Sequence, residues 1–452
     1  MPTRQKVDMA KGQLRIGPAL AYVAPIVPVW MLHAPALSVL PALYAKHAGI
    51  SLSALGAILL ITRLFDGITD PLAGYLSDRT RSRLGPRKPW IVAGGIIATI
   101  SCYFWFRPAA DTGPLYFLLW SIGVYIGWTL MEIPHSAWLA ELTQDYDERS
   151  RLSSYRTAAV YVGYVLFFCA PLLPFFATTE ITPEVTSFVS WAVIALLIVS
   201  VPIMAWKVPS GELVMTDRPR LKEILLGMWR NRPFHIFFGC MLAGNVASGM
   251  VGALYFFFMD AYLGIADKIV FVALGTSALG VVSSQFWPPV MARIGKHGAL
   301  AASATGAILT LAIMAFIPPG PLAFPLMLVI FACSSVTATG QMVSNMAIMA
   351  DVVDYDELRT GKNNAASYYS FNAFIAKFGV AIGGGLSLVI AGLFGFDPNG
   401  HNAGWPMAGF FTAFIGVPIL LNLSSLWLAL RFPLNRRRHA IIAHRLARRK
   451  GK

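Results

Sequence analysis

Arg63, Asp66 and Asp70 introduce charge into a long apolar segment of the sequence. They lie three and four residues apart in the stretch RLFDGITDP, and this spacing places them on one face of a helix. Ionisable groups inside a membrane helix are costly and mark functional sites. Two carboxylates beside a hydroxyl provide hard oxygen ligands for a monovalent cation, or a site for an exchangeable proton. The spacing favours an ion-binding role, and a structural ion network is the alternative.

A second set of polar and aromatic residues follows around residue 130. Tyr125, Trp128, Thr129, Glu132 and Ser136 are mostly separated by three or four residues and share a helical face. Thr129 can offer a hydroxyl to a cation, Glu132 can hydrogen-bond a polyol or carry a proton, and Trp128 can stack on a sugar ring. For Tyr125 and Trp128, packing between helices is an equally good explanation.

Lys377 is a third charged residue in an apolar setting, within FNAFIAKFGVAIGGG. It is too far from either end of that segment for its ammonium group to reach the membrane surface easily. We expect it to pair with a carboxylate from the other half of the chain, such as Asp66 or Asp70. Competition between the ammonium group and a bound cation would provide a route to coupling.

Composition identifies the elements that must position these residues as membrane helices. Of 452 residues, 56% are hydrophobic and 13% are charged, whereas soluble domains contain about 25% charged residues. Many segments are long enough to cross about 30 Å of hydrocarbon as helices. The predicted fold class is therefore an all-α polytopic membrane protein with twelve spans. These spans are 17–45, 52–77, 89–106, 114–142, 152–177, 184–206, 234–262, 269–293, 298–317, 322–351, 365–395 and 405–431.

An internal repeat divides the twelve spans into two halves. The tetrapeptide DYDE occurs at Asp145–Glu148 after the fourth span and at Asp354–Glu357 after the tenth, with similar flanking residues. Two parallel six-helix halves with a solute site near the membrane midplane describe the major facilitator architecture. The predicted organisation is an N-terminal half at 1–206, a cytoplasmic linker at 207–233, a C-terminal half at 234–432 and a basic cytoplasmic tail at 433–452.

Basic residues give the chain a net charge of +14, and they cluster near the two ends of the sequence and in every second connection between the spans. The opposite connections are nearly free of basic residues, with Lys46, Arg107 and Lys268 as exceptions. This positive-inside pattern predicts both termini in the cytoplasm. The expected location is the inner membrane of a bacterial cell. Orientation near anionic lipid explains the basic tail better than nucleic-acid binding does.

Two features argue against an enzyme. The four cysteines lie in apolar segments without the spacing of metal ligands, and the histidines offer no nucleophile–base pair. An enzyme would also leave the duplicated halves unexplained. We expect no cofactor apart from a coupling ion, which would be Na⁺, Li⁺ or H⁺.

The stretch RLFDGITDPLAGYLSDRTRSRLGPRKPWI resembles the signature of the glycoside–pentoside–hexuronide:cation symporter family, which contains the melibiose permease. TLMEIPHSAW is similar to the helix-four segment of that family, and ADVVDYDELRTGKNNAASYYSFNAFIAKFG resembles its counterpart in the second half. The resemblance implies a cation site, with Na⁺ as one candidate ion, at Asp66, Asp70 and Thr129. It also implies a sugar site at Glu132 and Arg156.

The resemblance further implies a charge network and a cytoplasmic gate. Lys377 would lie near the cation site, and Arg81 and Arg83 would close the cytoplasmic side through ion pairs that break on opening. Their acidic partners come from one of two runs, and the sequence leaves both open. The candidates are Asp145, Asp147 and Glu148 in the first run and Asp351 and Asp354 in the second.

Three departures from the family pattern concern the sugar site. The first span contains no acid, Glu132 stands where the family has aspartate, and Ser136 aligns with the family's sugar-stacking tryptophan.

From the motifs and the family resemblance, we predict cation-coupled symport of a glycoside or other sugar by alternating access. Transport of a lysolipid or another amphipathic solute is the alternative. The expected partners are a small-molecule substrate, a monovalent cation and the lipid bilayer, without nucleic acid.

Overall fold

The computed structural model describes residues 9–10, 13–33, 35–108, 112–143, 146–210, 228–283, 285–361, 365–400, 402–434 and 436–449. The chain divides into two compact units, Met1–Thr216 (unit one) and Asp217–Lys452 (unit two). This division falls inside the predicted linker at 207–233, of which residues 211–227 lie outside the described residues.

Unit one is helical apart from a small hairpin. Met9–Ala10 pairs antiparallel with Gln13–Leu14, and the Leu14 amide donates to Glu148 Oε1 at 3.0 Å. The helices are α1 (Ile16–Val23), α2 (Ile26–His33), α3 (Val39–His47), α4 (Leu52–Arg79), α5 (Lys88–Trp105), α6 (Pro114–Leu142), α7 (Tyr146–Cys169) and α8 (Pro183–Lys207).

Unit two is also built from helices in its described residues. Two short π-helical turns lie among them. Phe258–Tyr262 follows the first helix, and Thr412–Gly416 connects the helices Trp405–Phe411 and Val417–Leu430. The helices are α9 (Arg232–Phe257), α10 (Ile269–Ser283), α11 (Trp287–Ile294), α12 (Lys296–Met314), α13 (Ala323–Thr360), α14 (Ala365–Leu393), α15 (Trp405–Phe411), α16 (Val417–Leu430) and α17 (Arg436–Arg449).

Ten stretches of the described residues are long and apolar enough to cross a membrane, and they correspond to ten of the twelve predicted spans. The predicted third span is α5, which has 18 residues and begins with Lys88 and Pro89. The predicted eighth span is divided between α10 and α11. A lysine at the start of one helix and a break in the other shorten their continuous apolar length.

The predicted first span, 17–45, differs from the structure because it is not one helix. It consists of α1, α2 and α3, and only Ile16–His33 is long and apolar enough to cross a membrane. Pro25 and Pro35 lie at the two breaks, and proline cannot donate the backbone hydrogen bond that continues a helix.

Small residues allow the helices of each unit to approach closely. A Cβ atom added to Gly127 of α6 would lie 2.7 Å from the backbone nitrogen of Ala98 in α5. In unit two, a Cβ atom added to Gly249 of α9 would clash with the carbonyl oxygen of Val380 in α14. Membrane helices commonly pack through small residues, because backbones can then come into direct contact.

Candidate functional site

Arg63 and Asp66 form an ion pair on α4, with 3.2 Å between Nη1 and Oδ2. Arg63 also contacts α6, because its Nη2 donates to the Tyr125 hydroxyl at 2.9 Å and its guanidinium carbon lies 4.4 Å from the centre of that ring. Asp66 and Tyr125 are both buried. Tyr125 therefore positions Arg63, a contact that the sequence spacing alone does not predict.

Asp70 contacts the hydroxyl that the sequence analysis assigns to the same ion site. Thr129 Oγ1 donates to Asp70 Oδ1 at 2.8 Å, and Thr129 is buried. Pro71 follows within the same helix and has no N–H to offer the carbonyl of Gly67. A carboxylate oxygen of α4 and a hydroxyl oxygen of α6 thus meet beside a position where α4 lacks one backbone hydrogen bond.

Glu132 and Arg156 form an ion pair between α6 and α7, through Oε1 and Nη2. The same Nη2 donates to Ser136 Oγ at 2.9 Å. The side chains are 13% and 22% exposed. Glu132 Oε2 and Arg156 Nε are buried without a hydrogen-bond partner among the described residues. Because a buried polar atom without a partner is unfavourable, this pair retains an acceptor and a donor for a ligand.

Tyr22 of α1 holds the neighbouring part of α6 in place. Its hydroxyl donates to the carbonyl of His135 at 3.0 Å, and the two rings stack with 4.1 Å between their centres. The His135 ring nitrogen Nε2 lies 2.7 Å from the carbonyl oxygen of Tyr22 and can donate to it. The contacts join α1 to α6 one turn from Glu132, and sequence analysis missed them.

An aromatic cluster lies next to Trp128. The Trp128 ring centre is 4.4 Å from that of His33 and 6.2 Å from that of Trp30. The centres of the Trp30 and Tyr164 rings are 5.6 Å apart, and Trp30 Nε1 is buried without a hydrogen-bond partner in the described part of the chain. In the sequence, Trp30 stands out only as an aromatic residue within a predicted first span that contains no acidic residue.

Lys377 lies in α14 of unit two, where its side chain is exposed. Its expected partners Asp66 and Asp70 belong to unit one, so the pairing stays a prediction. Elsewhere in unit two, Gln341 Nε2 donates to Asn422 Oδ1 at 3.3 Å.

The predicted gate residues fall into different settings. Arg81 and Arg83 are exposed in the loop between α4 and α5, and Asp145 lies outside the described residues. Asp351 is buried and accepts from Lys296 Nζ at 2.5 Å, within unit two. Asp354 is half-buried on α13. The gate role of all these residues stays a prediction.

Arg87 forms two ion pairs near the loop between α4 and α5, and neither was predicted from the sequence. Its Nη2 lies 2.7 Å from Asp78 Oδ1 and 2.6 Å from Glu141 Oε1. Its Nη1 donates to Ser77 Oγ at 2.8 Å. The side chains of Arg87 and Glu141 are almost completely buried. Removing either one would leave the other as a buried charge without this partner, which is destabilising.

The Arg87–Glu141 pair has a counterpart in unit two. Lys296 follows Gly295, which has a positive φ of 81°, and pairs with Asp351 near the end of α13. Glu141 and Asp351 each follow an alanine in the repeated sequence, at AEL and ADV. The repeat was therefore a signal that could have identified the two acidic partners, but not the basic ones.

Residues 21–436 match the protein family described as MFS/sugar transport protein. The chain belongs to this family. This match covers nearly the whole sequence, so it confirms the all-α polytopic fold, a multi-pass membrane location and a transporter rather than an enzyme. The resemblance to glycoside–pentoside–hexuronide:cation symporters is confirmed as well.

Two relatives and one solved structure are similar to this chain, the last of them in fold alone. The chain is 27% identical to the glucuronide carrier protein homolog of Escherichia coli (strain K12), covering 85% of this chain and 86% of that protein. It is 26% identical to the putative glycoside/cation symporter YagG of the same strain, covering 75% of each. The crystal structure of the nucleoside transporter NupG (D323A mutant) is 14% identical, with a TM-score of 0.67, over 92% of this chain and 98% of that one.

Proposed function

We propose that this transporter couples the movement of a monovalent cation to that of a glycoside or other sugar by alternating access. One observation carries the proposal: Thr129 and Glu132 lie three residues apart on α6. Thr129 contacts Asp70, and Glu132 pairs with Arg156. A displacement of this part of α6 would move ligands of both candidate sites together.

The ion site consists of Asp66, Asp70 and Thr129. The two carboxylates and the guanidinium of Arg63 together carry one net negative charge. A monovalent cation or a proton would neutralise that charge, and Na⁺, Li⁺ and H⁺ are the candidates. Oxygen ligands suit a hard cation, and no other cofactor enters the proposal.

The sugar site consists of Glu132 and Arg156, with Trp128 and Tyr125 nearby. The acceptor Glu132 Oε2 and the donor Arg156 Nε match the alternating donors and acceptors of sugar hydroxyls. The names of two relatives, a glucuronide carrier homolog and a glycoside/cation symporter, support a sugar substrate. A glucuronide carboxylate would also suit the guanidinium of Arg156.

Coupling between the sites is a free energy that acts in both directions. If the cation strengthens sugar binding by some factor, the sugar must strengthen cation binding by the same factor. We propose a bacterial inner-membrane location with both termini in the cytoplasm. Ion pairs at the basic loop, including Arg81 and Arg83, would close the cytoplasmic side.

The test is sugar uptake by proteoliposomes under a Na⁺ or proton gradient. Radiolabelled glucuronide, galactoside and xyloside are the probes, with a lysophospholipid as a separate arm. For the Asp70→Asn variant, we expect the ratio of internal to external sugar to fall to about one, because an uncoupled carrier only equilibrates its substrate. Exchange of labelled for unlabelled sugar should continue.

Asp267→Asn is the matched control, because the Asp267 side chain is only partly buried, lies outside both candidate sites and pairs with its neighbour Lys268 at 2.6 Å. This variant should accumulate sugar as the unmodified protein does. Full accumulation by Asp70→Asn would overturn the ion site. Gradient-driven uptake of the lysophospholipid but of none of the sugars would overturn the sugar assignment.

A further inference from the structure

A cationic cavity of about 710 Å³ lies at the end of unit two where α9 begins. The ends of α13 and α16 and the face of α17 enclose its other sides. Four arginines line it, and no acidic residue is among the described residues that line it. These arginines are Arg232, Arg431, Arg438 and Arg445. All four are exposed, and four like charges around one cavity give it a positive potential that attracts anions.

The fold holds these arginines together through the docking of α17. Ile442 and Leu446 of this helix are buried, and they join the hydrophobic core that contains Phe432 and Leu434. Helix α17 therefore cannot move away from the body of unit two without exposing apolar side chains. The packing of α17 therefore holds Arg438 and Arg445 beside the arginines at the start of α9 and the end of α16.

Two of the arginines also have contacts that orient them. The Arg431 guanidinium lies 4.0 Å from the ring centre of Trp427, and Arg438 Nη1 donates to the carbonyl of Pro433 at 2.7 Å. These two contacts hold Arg431 and Arg438 at the edge of the cavity.

An apolar stripe leads along α16 to this cavity. Its members are spaced three or four residues apart, so they share one face of the helix, and all are exposed. Leu430, the last of them, also lines the cavity. The stripe consists of Leu420, Leu423, Trp427 and Leu430.

We propose that this cavity binds the phosphate headgroup of an anionic phospholipid, whose acyl chains lie along the α16 stripe. Arginine recognises phosphate oxygens through paired hydrogen bonds, and basic pockets between membrane helices bind lipid headgroups. A free phosphate ion would use the arginines alone. The exposed apolar stripe that ends at the cavity favours the lipid.

The test measures lipid binding to the full-length protein in detergent by native mass spectrometry and by thermal unfolding. The probes are dioleoylphosphatidylglycerol, dioleoylphosphatidylcholine and sodium phosphate. We expect phosphatidylglycerol to bind saturably and to raise the unfolding temperature, and the other two probes to have no such effect. The double variant Arg232→Gln/Arg445→Gln should bind phosphatidylglycerol roughly tenfold to a hundredfold more weakly, because charged hydrogen bonds are lost.

The control variant Arg293→Gln/Arg448→Gln removes the same charge from exposed arginines that do not line the cavity. Its affinity for phosphatidylglycerol should match that of the unmodified protein. Equal weakening in both variants would show attraction to surface charge only and would overturn the site. Stabilisation by phosphate or phosphatidylcholine to the same extent would overturn the lipid assignment.

Discussion

Individual side chains in unit one form two candidate sites that share α6. Arg63 and Asp70 contact Tyr125 and Thr129, so α4 and α6 are joined at two levels one turn apart on α6. Glu132 then joins α6 to α7 through Arg156. The chemistry proposed for each site depends on single atoms, and substitutions of those side chains can separate the two.

At the residue scale, Glu132→Gln should weaken sugar binding without removing the ion site. The amide keeps the side-chain shape but loses the charge that pairs with Arg156, so we expect affinity to fall roughly tenfold to a hundredfold. Equilibrium binding of labelled glucuronide measures this loss, and Na⁺-dependent thermal stabilisation should persist. Ser136→Ala, which loses one neutral hydrogen bond, is the matched control and should weaken binding by about tenfold at most. Unchanged affinity in Glu132→Gln would contradict the sugar site.

At the element scale, close contacts of glycines set how near the helices lie. Gly249 of α9 and Gly383 of α14 each face the backbone of the other helix, where an added Cβ atom would come far inside contact distance of the carbonyl oxygens of Val380 and Val246. Real Cβ atoms do not approach an oxygen so closely. The two helices would have to separate to accept any side chain at these positions.

Gly249→Ala should therefore destabilise the protein by about 1–3 kcal/mol, the usual cost of overpacking. Thermal unfolding in detergent, followed by tryptophan fluorescence, measures the change. Gly275→Ala on α10 is the matched control, because nothing lies within 4 Å of its added Cβ atom. That control should be neutral or up to about 1 kcal/mol more stable, since glycine is a poor helix former. Equal stability of both variants would contradict the α9–α14 contact.

At the scale of the whole molecule, the distribution of charge predicts the orientation in the membrane. The loop between α4 and α5 is rich in arginine, whereas the loop between α14 and α15 contains no lysine or arginine. By the positive-inside rule, the first loop should face the cytoplasm and the second should face the opposite side.

Single-cysteine variants test this orientation in a protein without its four native cysteines. Ser82→Cys should react with a membrane-impermeant maleimide only in inside-out vesicles, and Asn399→Cys only in right-side-out vesicles. Both positions are exposed, so accessibility within the protein does not limit labelling. The reverse pattern would place both termini outside the cytoplasm and would contradict the proposed gate.

Several features could be predicted from the sequence because they depend on local spacing and composition. Apolar length predicts most spans, and a three-residue separation on a helix is enough to bring Arg63 to Asp66. The pairing of Glu132 with Arg156 across two helices agrees with the family resemblance rather than with any spacing. The repeated DYDE sequence also points to two related halves before any contact is known.

Other features were decided only by the tertiary structure. Which acid pairs with Arg87, why Tyr125 is buried against Arg63, and how α17 closes a cavity of arginines all depend on residues far apart in sequence. Helical periodicity determines the face on which a side chain lies, but not which neighbouring helix meets that face. The meeting of faces depends on close packing, and in this protein small residues such as Gly127 and Gly249 permit it.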